Sequence, residues 1–105
     1  MRWLSGRPSP VGDVRIEKLM SLSLREFQHS LCPLAGRTVG EVSAVSLPVA
    51  DGSVTISYEA RPSVRFGGLL EIPRAVVSLV FSGVTSQQQE VFMKRFDLAF
   101  QRGGG

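Results

Sequence analysis

Val54, Ile56, Tyr58 and Ala60 alternate with Thr55, Ser57 and Glu59 through the stretch VTISYEA. A repeat of two puts one set on each side of a pleated strand, so this segment is predicted to be a half-buried antiparallel strand. Residues 75–81 alternate in the same way. Ala75, Val77, Leu79 and Phe81 form the bulkier set; Val76, Ser78 and Val80 form the other, with Arg74 in line. The bulkier set is assigned to the core together with Val54, Ile56 and Tyr58. Opposite residues of an antiparallel pair share a face, so the numbers of paired residues must sum to an odd value. A slip of one residue would drive Arg74 inward.

The stretch TVGEVSAVSLPV reads as an earlier strand with broken alternation: Val45, Leu47 and Val49 share one parity, Val42 and Ala44 the other. A bulge near Ser43 would reconcile the two sets. ADGS follows, and Asp51-Gly52 is the two-residue turn expected to join this strand to the next. RPSVRFGG, residues 61–68, reads as a turn-rich connection, with Gly67-Gly68 supplying unusual backbone angles.

Two segments carry helical spacing. Leu24, Phe27 and Leu31 fall at i, i+3 and i+7 after Ser23 and Glu26, whose S-x-x-E spacing is that of a capping box. Pro33 and Gly36 are expected to end this helix around residues 30–35. Phe92, Phe96, Ala99 and Phe100 form a second stripe, capped by Thr85 or Ser86 with Gln88 or Gln89 three residues on, and ended by Gly103 to Gly105.

The fold class that follows is α+β. We expect a small two-layer domain, an antiparallel three-stranded meander with two helices on one face, in the order α-β-β-β-α. Residues 20–105 make this single domain. Residues 1–19 are a flexible arm or contribute a short fourth strand, since Val14 and Ile16 alternate with Arg15 and Glu17 in VRIEKL. Met20 is a second candidate start, which would make the arm dispensable.

Pro73 and Arg74 interrupt the longest apolar stretch, GGLLEIPRAVVSLVFSG. A proline cannot donate to a ladder and belongs on an edge strand or at a bulge. In a three-stranded meander the third strand is an edge, which accommodates Pro73. The apolar AVVSLVF beyond it would then invite another strand to pair. Residues 14–19 cover that edge, or a second chain does. Arg74 falls on the far face beside Ser57 and Glu59, in position for a cross-strand ion pair with Glu59.

The sum of twelve basic and nine acidic residues is a net charge of +3. Residues 1–19 hold four of the basic and two of the acidic groups, so most of the excess belongs to the leader. That distribution weakens a nucleic-acid reading based on charge alone. The single Cys32 cannot form an internal disulfide. No apolar run reaches the roughly 18–20 residues a membrane span needs, and Gly6, Pro8 and Pro10 break the N-terminus before it could act as a secretory signal. The expected location is the cytoplasm, without membrane association.

The side chains offer little chemistry. His29 and Cys32 lie at i and i+3 but lack a third ligand, and are read as an exposed histidine and a small packing group. FGG and RGGG do not open a helix after a strand, as phosphate-binding loops do. Lys94, Arg95 and Arg102 suit the negative end of the last helix. Phe66 is read as the anchor of a small satellite core; stacking of a base on it, with Arg61 and Arg65 nearby, is the functional alternative.

The residues singled out for a partner or ligand are Arg61, Arg65, Phe66, Arg74, Val76, Ser78 and Val80. The expected function is a non-catalytic binding or assembly module, self-associating through an edge strand or the open sheet face, with no cofactor. One alternative is an anion- or nucleic-acid-binding domain using the arginine-bearing loop and sheet face. Another is an enzyme whose site forms only with a partner.

Overall fold

The computed structural model describes residues 13–102. The expected arm at residues 1–12 and the terminal Gly103 to Gly105 lie outside the described residues. Within them the order is β1 (Val14–Met20), α1 (Leu24–Ala35), β2 (Ala44–Val49), β3 (Gly52–Phe66), β4 (Leu70–Ser82) and α2 (Ser86–Arg102). The class is α+β as expected; the antiparallel sheet has four strands rather than a three-stranded meander, residues 14–20 supplying the fourth as the alternative for VRIEKL allowed, in the spatial order β1-β4-β3-β2.

That order corrects the placement of the third meander strand. β4 is interior: β1 pairs along one side of it, from Val14 opposite Phe81 to Met20 opposite Ala75, and β3 pairs along the other. Every apolar residue of AVVSLVF therefore has neighbours of the same chain on both sides, and no edge remains there for a partner strand. The edges of the sheet are β1, carrying Arg15, Glu17 and Lys18, and β2, carrying Pro48. Charge and proline on an edge discourage further pairing.

The β3–β4 register follows the odd-sum rule, with Val54 opposite Phe81, Ile56 opposite Leu79 and Tyr58 opposite Val77. All six of these side chains face the helices. Phe81 meets Phe92 of α2 edge-on at 5.7 Å, and Tyr58 lies 5.3 Å from Phe27 of α1. Phe27, Leu31 and Leu34 come from α1 and Phe92, Phe96 and Phe100 from α2; all are buried in the shared core. Each side chain of that size contributes roughly 1.5–3 kcal/mol by leaving water. Leu24 is not part of the α1 stripe, being 39% exposed; Ser30 and Leu34 lie on the buried side instead.

The caps form as the spacing predicts. Glu26 N–H donates to Ser23 Oγ at 3.2 Å and Ser23 N–H to Glu26 Oε1 at 2.8 Å. Thr85 and Gln88 repeat the exchange ahead of α2, at 2.9 and 3.1 Å. Gly36 closes α1 in the left-handed region at φ 71°, its N–H donating to Cys32 O, and Pro33 is accommodated within the last turn.

Two turns differ from expectation. β2 begins only at Ala44, so no bulge at Ser43 is needed. The β2–β3 turn is Ala50-Asp51, with Val49 paired to Gly52. Gly52 is required for another reason: a Cβ there would lie 2.1 Å from Ser82 O, so the backbone of the β4 end sets its identity. RPSVRFGG is not a loop. β3 continues through it to Phe66, and only Gly67, Gly68 and Leu69 form the turn into β4.

Candidate interaction surface

β3 and β4 outrun their neighbours. β1 ends opposite Ala75 and β2 starts opposite Ser57, so, among the described residues, 61–66 and 70–74 pair only with each other. The molecule is correspondingly elongated, 56 × 28 × 22 Å. Ala60, next on the helix-facing side, is already exposed, so the helices stop short of this two-stranded ribbon.

One irregularity decides which side chains the ribbon presents. Arg61 pairs with Arg74 and Val64 with Ile72, so Pro62 and Ser63 together oppose the single Pro73. This is a β-bulge, and it answers the placement of Pro73: its missing donor lies at the irregularity, beyond the end of β1. Before the bulge, even-numbered β3 residues face the helices. After it, Val64 and Phe66 face the other way, level with Ile72 and Leu70. β4 has no bulge, so Leu70, Ile72, Arg74, Val76, Ser78 and Val80 all lie on its helix-free side.

The helix-free face is thus continuous from the sheet into the ribbon, and among the described residues nothing covers it. Its sheet end is polar and internally bonded. Arg15 Nε donates to Glu17 Oε2 at 2.8 Å and Arg15 Nη2 to Ser78 Oγ at 3.3 Å, while the Ser46 and Thr55 hydroxyls lie 2.9 Å apart. Ser78 is consequently only 5% exposed. Toward the middle, one row holds Leu19, Val76 and Glu59, and the next holds Arg74 and Arg61. The ribbon end is apolar: Val64 opposite Ile72, then Phe66 opposite Leu70, then Leu69 in the turn. Leu69 is 98% exposed, Leu70 57% and Phe66 54%, and Leu19 is 60% exposed on the same side as this apolar end.

Six of the seven residues singled out from the sequence share this face: Arg61, Phe66, Arg74, Val76, Ser78 and Val80. Arg65 does not; it lies on the ribbon's reverse side, opposite Glu71. Phe66 anchors no satellite core, since it is more than half exposed at the end of the ribbon. The predicted Arg74–Glu59 pair does not form. Arg74 stands directly opposite Arg61, and Arg61 Nη1 is the group that donates to Glu59 Oε2, at 3.5 Å. Val64, Leu69, Leu70, Ile72 and Leu19 were missed by the sequence reading. A signal for three of them, Val64, Leu70 and Ile72, was present: V-x-F and L-x-I alternate symmetrically about the glycine turn, the mark of a hairpin with one apolar face.

A second feature lies between the helices. A cleft of about 700 Å3 includes His29, Cys32, Arg37 and Arg95 in its lining. Arg95 is engaged structurally, with Nη2 donating to Leu34 O at 3.5 Å and the guanidinium 5.8 Å from the centre of the Phe92 ring. His29 is exposed, and the Cys32 thiol donates to Gln28 O at 3.5 Å. Among the described residues no group of three His, Cys, Asp or Glu side chains could hold a metal ion. Nor is any helix among them long and apolar enough to cross a membrane.

No protein-family model, curated protein or solved structure matches the chain.

Proposed function

We propose that this protein is a non-catalytic binding or assembly module whose working surface is the helix-free sheet face and its continuation into the β3–β4 ribbon. The observation that carries this reading is the apolar side of the ribbon. Val64, Phe66, Leu70 and Ile72 are brought onto one side by the bulge, beyond the reach of the protein's own core. Exposed apolar patches of this kind mark interaction sites, because burying them against a partner removes them from water.

A photo-crosslinking residue placed at Leu69 tests the reading in living cells of the source organism. The expected result is a discrete adduct from position 69 and none from Gln87, which is exposed at the start of α2. Equal labelling from both positions, or none from either, would remove it.

One observation favours a second reading, binding of a polyanion. Arg61 and Arg74 face each other across the strands; Glu59 engages Arg61 at 3.5 Å, and among the described residues Arg74 has no acidic partner, so an added anion would relieve the remaining repulsion. Salt-dependent retention on an oligonucleotide column, lost on changing both to Ala, is the outcome that reading requires.

A further inference from the structure

The helix-free face carries its charges in an order that matches itself. Along β4, rows of side chains succeed one another every two residues, roughly 7 Å apart. The row at Val76 includes Glu59, and the next, at Arg74, includes Arg61. An acidic row therefore lies one step from a basic row. Turning the face over about an axis that lies in the contact plane, across the strands at Ala75, exchanges these two rows and keeps β3 and β4 above their own copies. Glu59 then meets Arg61, with Arg74 one strand away, and the same contact recurs on the other side of the axis. A two-fold contact needs this self-complementarity.

Shape agrees with charge. The axis at Ala75 lies one residue from Val76, the midpoint of β4, so nearly the whole strand overlaps its copy. An axis at Val76 itself would stack Glu59 on Glu59. With the axis at Ala75 the Leu70–Phe66 row falls over the row of Val80 and Thr55, and the Ile72–Val64 row over Ser78 and Ser57. The exposed apolar end of each ribbon is covered by the flat sheet end of the other chain. β3 and β4, the two strands that overlap their copies over residues 70–80 of β4, span on the order of 350 Å2 in plan. That is below the roughly 800 Å2 per partner of a standard interface and fits a dimer that forms at high protein concentration.

We propose that the partner of this face is a second copy of the chain, packed face to face about that axis with antiparallel β4 strands. The proposal rests on the reading of the face as a binding surface and names its occupant.

Sedimentation of the full chain at high micromolar concentration should give a dimer. Leu70→Glu, a change outside the core, should weaken it by at least about tenfold. A chain with Glu59→Arg holds only bases at the three central positions, and one with Arg61→Glu and Arg74→Glu only acids. Each should be monomeric alone and folded by circular dichroism, and mixing them should restore a one-to-one dimer. A monomeric wild-type chain, a dimer indifferent to Leu70→Glu, or a mixture that stays monomeric would overturn the proposal. A monomer that still gives a discrete crosslink to another protein from position 69 would leave the binding-module reading standing.

Discussion

Tyr58 shows how much one side chain on the covered face is asked to do. Its ring packs on Phe27 and its hydroxyl donates to Leu22 O at 3.3 Å, where the chain passes from β1 into α1. Burial, and then the nearby Glu26 carboxylate, raises its pKa above the ordinary 10.0. The folded protein thus holds this proton more tightly than the unfolded chain, and stability from it is complete below pH 10 or so and lost as pH rises through the folded value. Denaturant midpoints should fall with pH above about 10, and Tyr58→Phe should flatten that dependence while losing about 1 kcal/mol at neutral pH. Tyr58 is the only tyrosine, so tyrosinate absorbance reads its titration directly. Alternation alone put Tyr58 on the core side; its hydroxyl partner, 36 residues and roughly 120 Å of extended chain away, was not legible because nothing local specifies it.

At the scale of elements, the helices and the ribbon behave differently. α1 is fixed by signals within a few residues: the Ser23–Glu26 box starts it and Gly36 stops it, each satisfying backbone groups the helix leaves over. Ser23→Ala should cost about 1 kcal/mol in chemical denaturation, since the Glu26 N–H loses its acceptor. The ribbon depends on pairing instead. Pro62, Arg61 and Arg65 read locally as a connection, yet the strand runs through them because β4 supplies a partner and the bulge absorbs the extra residue. Gly52 illustrates the same limit. Its neighbour Asp51 made it look like a turn residue, whereas the approach of Ser82 O from another strand sets its identity. Of the candidate surface, Arg74, Val76, Ser78 and Val80 could be placed by parity, but Phe66 could not, because a bulge inverts parity beyond it.

The molecule as a whole hangs on β1. Among the described residues it is the only strand added to the sheet by a long-range pairing, and it covers the side of β4 opposite β3 while Val14, Ile16 and Met20 pack against the core. A chain shortened to begin at Ser21 should therefore expose the AVVSLVF edge. The expected outcome is loss of soluble protein or strong binding of a hydrophobic dye, against a soluble, dye-silent full chain. The sequence by itself determined what depends on spacing: two capped amphipathic helices, two alternating strands, the parity of their register, and the side on which Arg74 lies. Those follow from periods of 3.6 and 2 and from groups that satisfy one another within a turn. Only the tertiary structure decided which strand is interior, where the bulge falls, and so which apolar residues lie outside the core. Each of these is a pairing between distant segments, chosen by competition for the same backbone donors and acceptors, and no local pattern records its outcome.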